Sequence, residues 1–389
     1  MAAKKTFLIR SHIRSLSRDS AITSALLRWF RTAARDLPWR RTLDPYAIWV
    51  SEIMLQQTQV KTVIPYWERW MRELPGVRAL ASLDRDRLLK LWEGLGYYTR
   101  ARNLQKAARQ IVDQHQGQFP KTYAEILALP GVGRYTAGAI CSLAYNQPTA
   151  LLDGNVVRVL TRLDAVSEDP RERKTNEGLW ERAQALVEEA NSLSPSHSPQ
   201  LAGNCSSLNQ SLMELGATIC TPRSPDCAQC PLKILCKARA LDRVEDFPRL
   251  PKREKPTPRR FHAFVIEQRG SIWVRRRPEG IVNAGLWEFP NVEVMGDSAK
   301  KPEETLLEHL GLERATLDPI ATVRHSITRY RIELKAYYGV MKPSEKLRSG
   351  TEGSATMQQV TAEEATALAF TSAHARVLKA WIGRREGQR

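Results

Sequence analysis

Four cysteines stand within one short stretch, CTPRSPDCAQCPLKILC, as Cys220, Cys227, Cys230 and Cys236 at the spacing C-x6-C-x2-C-x5-C. Four thiolates so spaced can close around zinc or a 4Fe-4S cluster, and ligand softness does not choose between the two. A second candidate is Glu52 in SEIMLQQTQV, which follows Ile48, Trp49 and Val50 and precedes Ile53, Met54 and Leu55. On a helical period of about 3.6 residues Glu52 shares a face with Ile48, Trp49, Leu55, Gln56 and Gln59, while Ile53, Val60 and Ile64 lie elsewhere, so no purely polar face is left for it. A carboxyl there loses hydration, its pKa rises, and it becomes a candidate general acid near neutral pH.

Elements must hold these groups, and composition bounds what they can be. A chain of 389 residues predicts roughly two or three domains at about 150 residues each. The 59 Lys and Arg against 42 Asp and Glu leave a net charge of +17 and a pI near 9.8, which favours a polyanionic partner. No run approaches the roughly 18 apolar residues that span a bilayer. Six cysteines, four of them clustered, are too few for a disulfide scaffold and point to a reducing compartment and a metal site. Cys141 and Cys205 fall outside the cluster and read as packing residues or free thiols. The opening MAAKKTFLIRSHIRSLSR is basic with no acid before Asp19, which fits a mitochondrial transit peptide or a disordered basic arm.

From Ile22 to about Ile234 apolar residues recur three and four apart between turns such as ELPGV and ALPGVG, which predicts a mostly α domain. The stretch NSLSPSHSPQLAGNCSS, residues 191–207, reads as an inserted loop. PRLPKREKPTPRR, 248–260, loses the apolar period and reads as an extended, phosphate-attracting linker. Beyond it, two short strands flank Gly270, RIELKAYYGV is another, and TSAHARVLKAWIG is a closing helix, which predicts a second domain of α/β or α+β type.

Two further motifs bear on chemistry. In LPGVGRYTAGAI, 129–140, Gly131 and Gly133 around Val132 allow a tight turn that aims amides outward at a helix start, suited to a phosphate or to an ordinary helix-to-helix turn. In LDGNVVRVLTRL, Asp153 or Asn155 caps a helix that begins at Val156.

Together with LWEGLGYYTRARNL, these motifs and the cysteine loop resemble the endonuclease III superfamily of helix-hairpin-helix DNA glycosylases, and within it the adenine DNA glycosylase (MutY) family. The resemblance covers about residues 22–236 closely and the second domain more loosely. It implies a multidomain α+β protein: a basic arm at 1–21, a helix-hairpin-helix glycosylase domain at 22–236, a linker at 237–260, and a Nudix-like α/β domain at 261–389. It also implies that the loop holds a 4Fe-4S cluster, with Arg223 and Lys233 free to meet phosphate.

The same resemblance implies base release from double-stranded DNA in which adenine faces 8-oxoguanine or guanine, by a monomer, with no membrane involved. Glu52 would protonate adenine, Asp153 would stay ionised beside the oxocarbenium-like sugar, and Asn155 and Tyr135 would position them. Gln56 and Tyr97 would fill the place of the flipped base. Tyr135 stands where a strand-cutting relative carries a Schiff-base lysine, so little strand cleavage is expected. In the Nudix-like domain RRRPEGIVNAGLWEFPNVEV carries the match, PEETLLEHLGL keeps Glu308 but puts Thr305 and His309 where a Mg²⁺ site needs acids, which disfavours nucleoside diphosphate hydrolysis, and Ile327, Thr328 and Arg329 fill the lesion-recognition loop. Such an enzyme works in the cytoplasm of a bacterium at the nucleoid, or in the nucleus or mitochondrion of a eukaryote. The competing readings are a pyrimidine-lesion glycosylase with lyase activity and a non-catalytic DNA-binding protein.

Overall fold

The computed structural model describes residues 17–193, 203–251, 255–294, 301–310, 312, 316–327, 329–345 and 357–387. The helices are α1 (Arg18–Ala33), α2 (Pro45–Leu55), α3 (Val60–Glu73), α4 (Val77–Ser82), α5 (Arg85–Trp92), α6 (Thr99–His115), α7 (Tyr123–Leu127), α8 (Arg134–Tyr145), α9 (Gly154–Asp164), α10 (Arg173–Ser192), α11 (Asn204–Thr218), α12 (Lys237–Ala240), α13 (Pro302–Leu310), α14 (Ala362–Ala367) and α15 (Ser372–Gly387). The strands are β1 (Thr257–Gln268), β2 (Ser271–Arg276), β3 (Trp287–Glu288), β4 (Asn291–Glu293), β5 (Asp318–Ile327), β6 (Tyr330–Val340) and β7 (Met357–Val360). They divide into two units, one of residues 1–53 with 119–251 and one of 54–118 with 252–389.

The first unit is built around α11, which packs on α1, α8, α9 and α10 and is buried on nearly every side. Some of its polar groups find partners inside the core: Asn209 donates to the Thr149 carbonyl at 2.9 Å and Ser211 to the Leu208 carbonyl at 2.7 Å. Apolar residues from α1, α8, α9 and α10, among them Leu26, Leu160 and Leu186, close the core around it. A hairpin of α7 and α8 turns at Gly131, whose φ of +78° a side chain would strain.

In the second unit, the strands form a mixed sheet of order β3-β2-β1-β6-β5, with β4 paired to β1 and β7 to β2. β1 and β6 run parallel from Thr257↔Tyr330, and the β1–β2 hairpin turns through Arg269 and Gly270, both with positive φ. One face packs under α15 through Phe289, Phe370, Val377 and Trp381, and the other meets α13 through Phe264, Ile266 and Leu306. Within this unit Arg102 donates to the Ala284 carbonyl at 2.8 Å, and the Phe370 amide to Glu93 at 2.9 Å.

Four expectations shift. The helix after Asp153 begins at Gly154, because the Asp153 carboxylate caps the Val156 amide. Of the stretch 191–207, residues 191–192 end α10 and 204–207 begin α11, because burial against the core extends both helices, and 194–202 lie outside the described residues. The linker is shorter than composition suggests: α12 and a 3-10 turn at Val244–Asp246 fill its start, and Thr257 already pairs with β6. The basic arm gives way at Arg18 to α1, capped by Ser17, and Arg18 is held by Asp164 at 2.6 Å.

Trp381 is buried to 1% exposure in the sheet core. Trp381→Ala should therefore lower stability by about 3–5 kcal/mol, read as a lower-melting transition of the full chain in calorimetry, and an unchanged melting profile would contradict this packing.

Candidate active site and cluster loop

α2 carries Glu52 into the first unit, where only 5% of the residue is exposed. The Tyr135 hydroxyl, from the first turn of α8, donates to Glu52 Oε2 at 2.6 Å and lies 3.5 Å from Met213 Sδ. Burial raises the Glu52 pKa to about 7, against the pull of the Tyr135 hydrogen bond and with a further push from the Asp153 charge. Burial also drives the Tyr135 phenol well above its ordinary range, so it remains a donor.

Asp153 caps α9. Its Oδ1 accepts from the Val156 amide at 2.7 Å and its Oδ2 from Asn155 Nδ2 at 2.9 Å. Burial raises its pKa as well, but these hydrogen bonds and the Arg158 charge favour the carboxylate and oppose that rise. The structure thus gathers Glu52, Tyr135, Asp153 and Asn155 into one electrostatically coupled group, with one carboxyl poised to hold a proton near neutrality and one held by donors.

Five neighbours carry no mark in the sequence reading. Arg158 donates to Asn155 Oδ1 at 2.8 Å, to the Gly216 carbonyl at 2.7 Å and to the Cys220 carbonyl at 2.7 Å. Gly216 is required there, since a Cβ would sit 2.7 Å from that of Asn155. Glu214, fully buried on α11, is gripped by Arg35 and Arg40 at 2.7 and 2.8 Å. Burial works to raise Glu214, yet the two guanidiniums hold it below the ordinary carboxylate range, while Arg40 also acts on Glu52. Glu214 had a signal of the kind Glu52 gave, an acid within the apolar run SLMELGA; Arg35 and Arg40 gave none, because Glu214 is remote in sequence, and the reach of Arg158 to Gly216 and Cys220 was hidden for the same reason.

Cys220, Cys227, Cys230 and Cys236 line one cavity together with Arg162, Lys233 and Arg239. Arg162, buried to 2% exposure on α9, donates to Cys220 Sγ at 3.3 Å, the Thr221 carbonyl at 2.7 Å and the Phe247 carbonyl at 2.9 Å. Burial pushes the Cys230 thiol up to about 12 and raises Cys227 and Cys236, so this set needs bound cations to hold its thiolates together. An all-sulfur donor set around one cavity fits an iron–sulfur cluster. Cys141 and Cys205 are buried apart from it.

The remaining predicted residues lie elsewhere. Gly131 and Gly133 are exposed at the hairpin turn, and no side chain caps α8, but the Val132 amide is committed to the Leu129 carbonyl at 3.1 Å. Gln56 and Tyr97 belong to the second unit; Gln56 is half-buried, while Gln57 beside it is exposed with φ of +56°, and Tyr97 is 50% exposed with φ of +48°. Arg329 is exposed over the Tyr330 ring at 5.2 Å, Ile327 ends β5, and Thr328 lies outside the described residues. Among the described residues no helix is long and apolar enough to cross a membrane.

Comparison with known proteins bears on this arrangement. Residues 50–185 match the HhH-GPD superfamily base excision DNA repair protein family, 220–236 the iron-sulfur binding domain of endonuclease III, and 262–380 the NUDIX domain. The chain is 34% identical to the adenine DNA glycosylase of Homo sapiens, over 96% of this chain and 76% of that protein. It is 36% identical to that of Buchnera aphidicola subsp. Acyrthosiphon pisum, over 72% of this chain and 75% of the other. A solved thermostable thymine-DNA glycosylase superposes with a TM-score of 0.51 at 30% identity, covering 58% of this chain and 97% of that one.

A buried acid with a raised pKa weakens the fold. Because the folded Glu52 binds its proton more tightly than an ordinary glutamate at 4.5, stability is unaffected below pH 4.5 and falls as pH climbs towards 7. Glu52→Gln should therefore stabilise the protein by on the order of 3 kcal/mol at pH 8 and by under about 1 kcal/mol at pH 5. Melting temperatures at the two pH values check this, and an equal shift at both would show that Glu52 is ionised throughout.

Proposed function

The chain belongs to the adenine DNA glycosylase family, and from that premise we propose that it excises adenine paired with 8-oxoguanine or guanine in duplex DNA, acting as a monomer. It is a base-excision-repair DNA glycosylase with a helical catalytic region, a Nudix-like sheet domain and a 4Fe-4S cluster on Cys220, Cys227, Cys230 and Cys236. DNA is its partner, as the +17 charge requires of a protein that must neutralise phosphates. In our reading residues 22–236 do the chemistry, 261–389 inspect the opposite base, and the site of action is the nucleoid of a bacterium or the nucleus or mitochondrion of a eukaryote.

The observation that carries the mechanism is the Glu52–Tyr135 hydrogen bond inside an apolar site. Breaking the adenine–deoxyribose bond puts negative charge on the base and positive charge on the sugar. Glu52, with a pKa of about 7, delivers its proton to N7 of the flipped adenine. Tyr135 then stabilises the carboxylate left behind. Asp153, kept anionic by the Val156 amide and the Asn155 amide group, faces the oxocarbenium-like sugar until water adds. The cluster supplies a fixed anchor for the loop; the side chains that face Asp153 are Asn155 and, behind it, Arg158. Tyr135 offers no amine for a Schiff base, so the product is an abasic site in an unbroken strand. Gln56 and Tyr97 occupy the vacated place, and Thr328 and Arg329 contact 8-oxoguanine.

Glu52→Gln should slow single-turnover adenine release by about 10²–10⁴-fold with duplex affinity retained. The wild-type rate should fall as pH rises through about 7. Strand breaks should depend on alkali and form faster opposite 8-oxoguanine than opposite guanine. Equal rates opposite both bases would remove the lesion preference, full activity in Glu52→Gln would remove the assigned acid, and binding without release would favour a non-catalytic protein.

A further inference from the structure

We propose that Arg100 is a positioning residue that locks the turns bearing Gln56, Gln57 and Tyr97 at a fixed spacing, so that they enter the duplex as one wedge while adenine is extruded. This rests on the reading above that these turns displace the base. The first turn follows α2 and holds Gln57 at φ +56°; the second joins α5 to α6 and holds Gly94, Gly96 and Tyr97 at +103°, +69° and +48°. Left-handed backbone at a residue with a side chain is costly and persists only where its surroundings impose it.

One guanidinium imposes it on both turns. Arg100 Nη1 donates to the Met54 and Gln56 carbonyls at 3.0 and 2.6 Å. Its Nη2 donates to the Leu95 and Gly96 carbonyls at 2.9 and 3.0 Å and to Thr58 Oγ1 at 3.4 Å. The guanidinium carbon lies 5.3 Å from the Trp92 ring and 5.7 Å from the Tyr97 ring, and Trp92 itself donates to the Gly96 carbonyl at 3.0 Å. All of these residues belong to one unit of the fold. The planar fork aims one nitrogen at the carbonyls of the first turn and the other at those of the second, with Thr58 as a longer contact, a geometry that an ammonium group cannot reproduce. Opening a base pair is costly, and a wedge already in shape spends none of its contact energy on ordering itself.

The test uses the full-length, cluster-loaded enzyme and two substrates: adenine opposite 8-oxoguanine, and adenine bulged out with no opposing base. In Arg100→Lys, release from the paired duplex should slow by about tenfold or more, with release from the bulge within about twofold. The fluorescence rise of 2-aminopurine at the target position, a direct signal of extrusion, should shrink in parallel. Gly96→Ala strains the second turn by its φ of +69° with no atom within 4 Å of the new Cβ, and should give the same split even if the lysine variant folds poorly. Equal slowing on both substrates, or an undiminished fluorescence rise, would overturn the proposal and leave Arg100 a structural support. If Tyr97→Ala combined with Gln56→Ala left the paired duplex fully active, the wedge reading itself would fall, whatever Arg100 does.

Discussion

A carboxyl group that must hold its proton at neutral pH has to be removed from water without being handed to a cation. That requirement governs the first unit. Two buried glutamates make the contrast plain: Glu214 is hydrogen-bonded by Arg35 and Arg40 and is held below the ordinary range, whereas Glu52 accepts from the neutral Tyr135 hydroxyl, feels Arg40 through charge without a hydrogen bond among the described residues, and rises to about 7. The difference lies in which donors the fold brings, since depth of burial pushes both in the same direction.

The second carboxyl of the site is treated differently: burial raises Asp153 too, but the donors around it oppose that rise. Asp153 is given amides, and the residue that supplies one of them, Asn155, is steadied by Arg158, which reaches on to the Cys220 carbonyl. One turn later on α9, Arg162 binds Cys220 Sγ and the backbone of the cysteine loop. A single helix thus presents the aspartate at its start and grips the cluster loop along its side. Ordering the loop and ordering the carboxylate thus share Arg158, while Arg162 adds a second hold on the loop.

Much of this was readable from residue order, for physical reasons. The cysteine spacing, the acid with no polar face around position 52, and the strand and helix periods beyond Gly270 are local signals, and the sheet, α15 and the buried Glu52 follow them. What residue order hid is non-local. Glu52 and Tyr135 are 83 positions apart, and Arg35 and Glu214 are 179 apart, so no window of sequence contains either pair. The ends of the Ser- and Pro-rich stretch became helix because tertiary burial overrides weak local preference, and the linker shortened because strand pairing claimed its last residues. The left-handed turn at Gln57 was also hidden, because a positive φ leaves little trace in side-chain type.

The Tyr135–Glu52 contact carries one more consequence, for chain synthesis. Adenine is an undamaged base, so an enzyme that removes it is hazardous if active at the wrong moment. Residue 52 leaves the ribosome long before residue 135, and until the helices carrying Tyr135, Asp153 and Met213 enclose it, it is a hydrated glutamate that gives up its proton near 4.5. A nascent or locally opened chain therefore has the right residue but the wrong acid strength. If Glu52 is the acid, as proposed, the acid strength that catalysis needs is acquired only when folding encloses it.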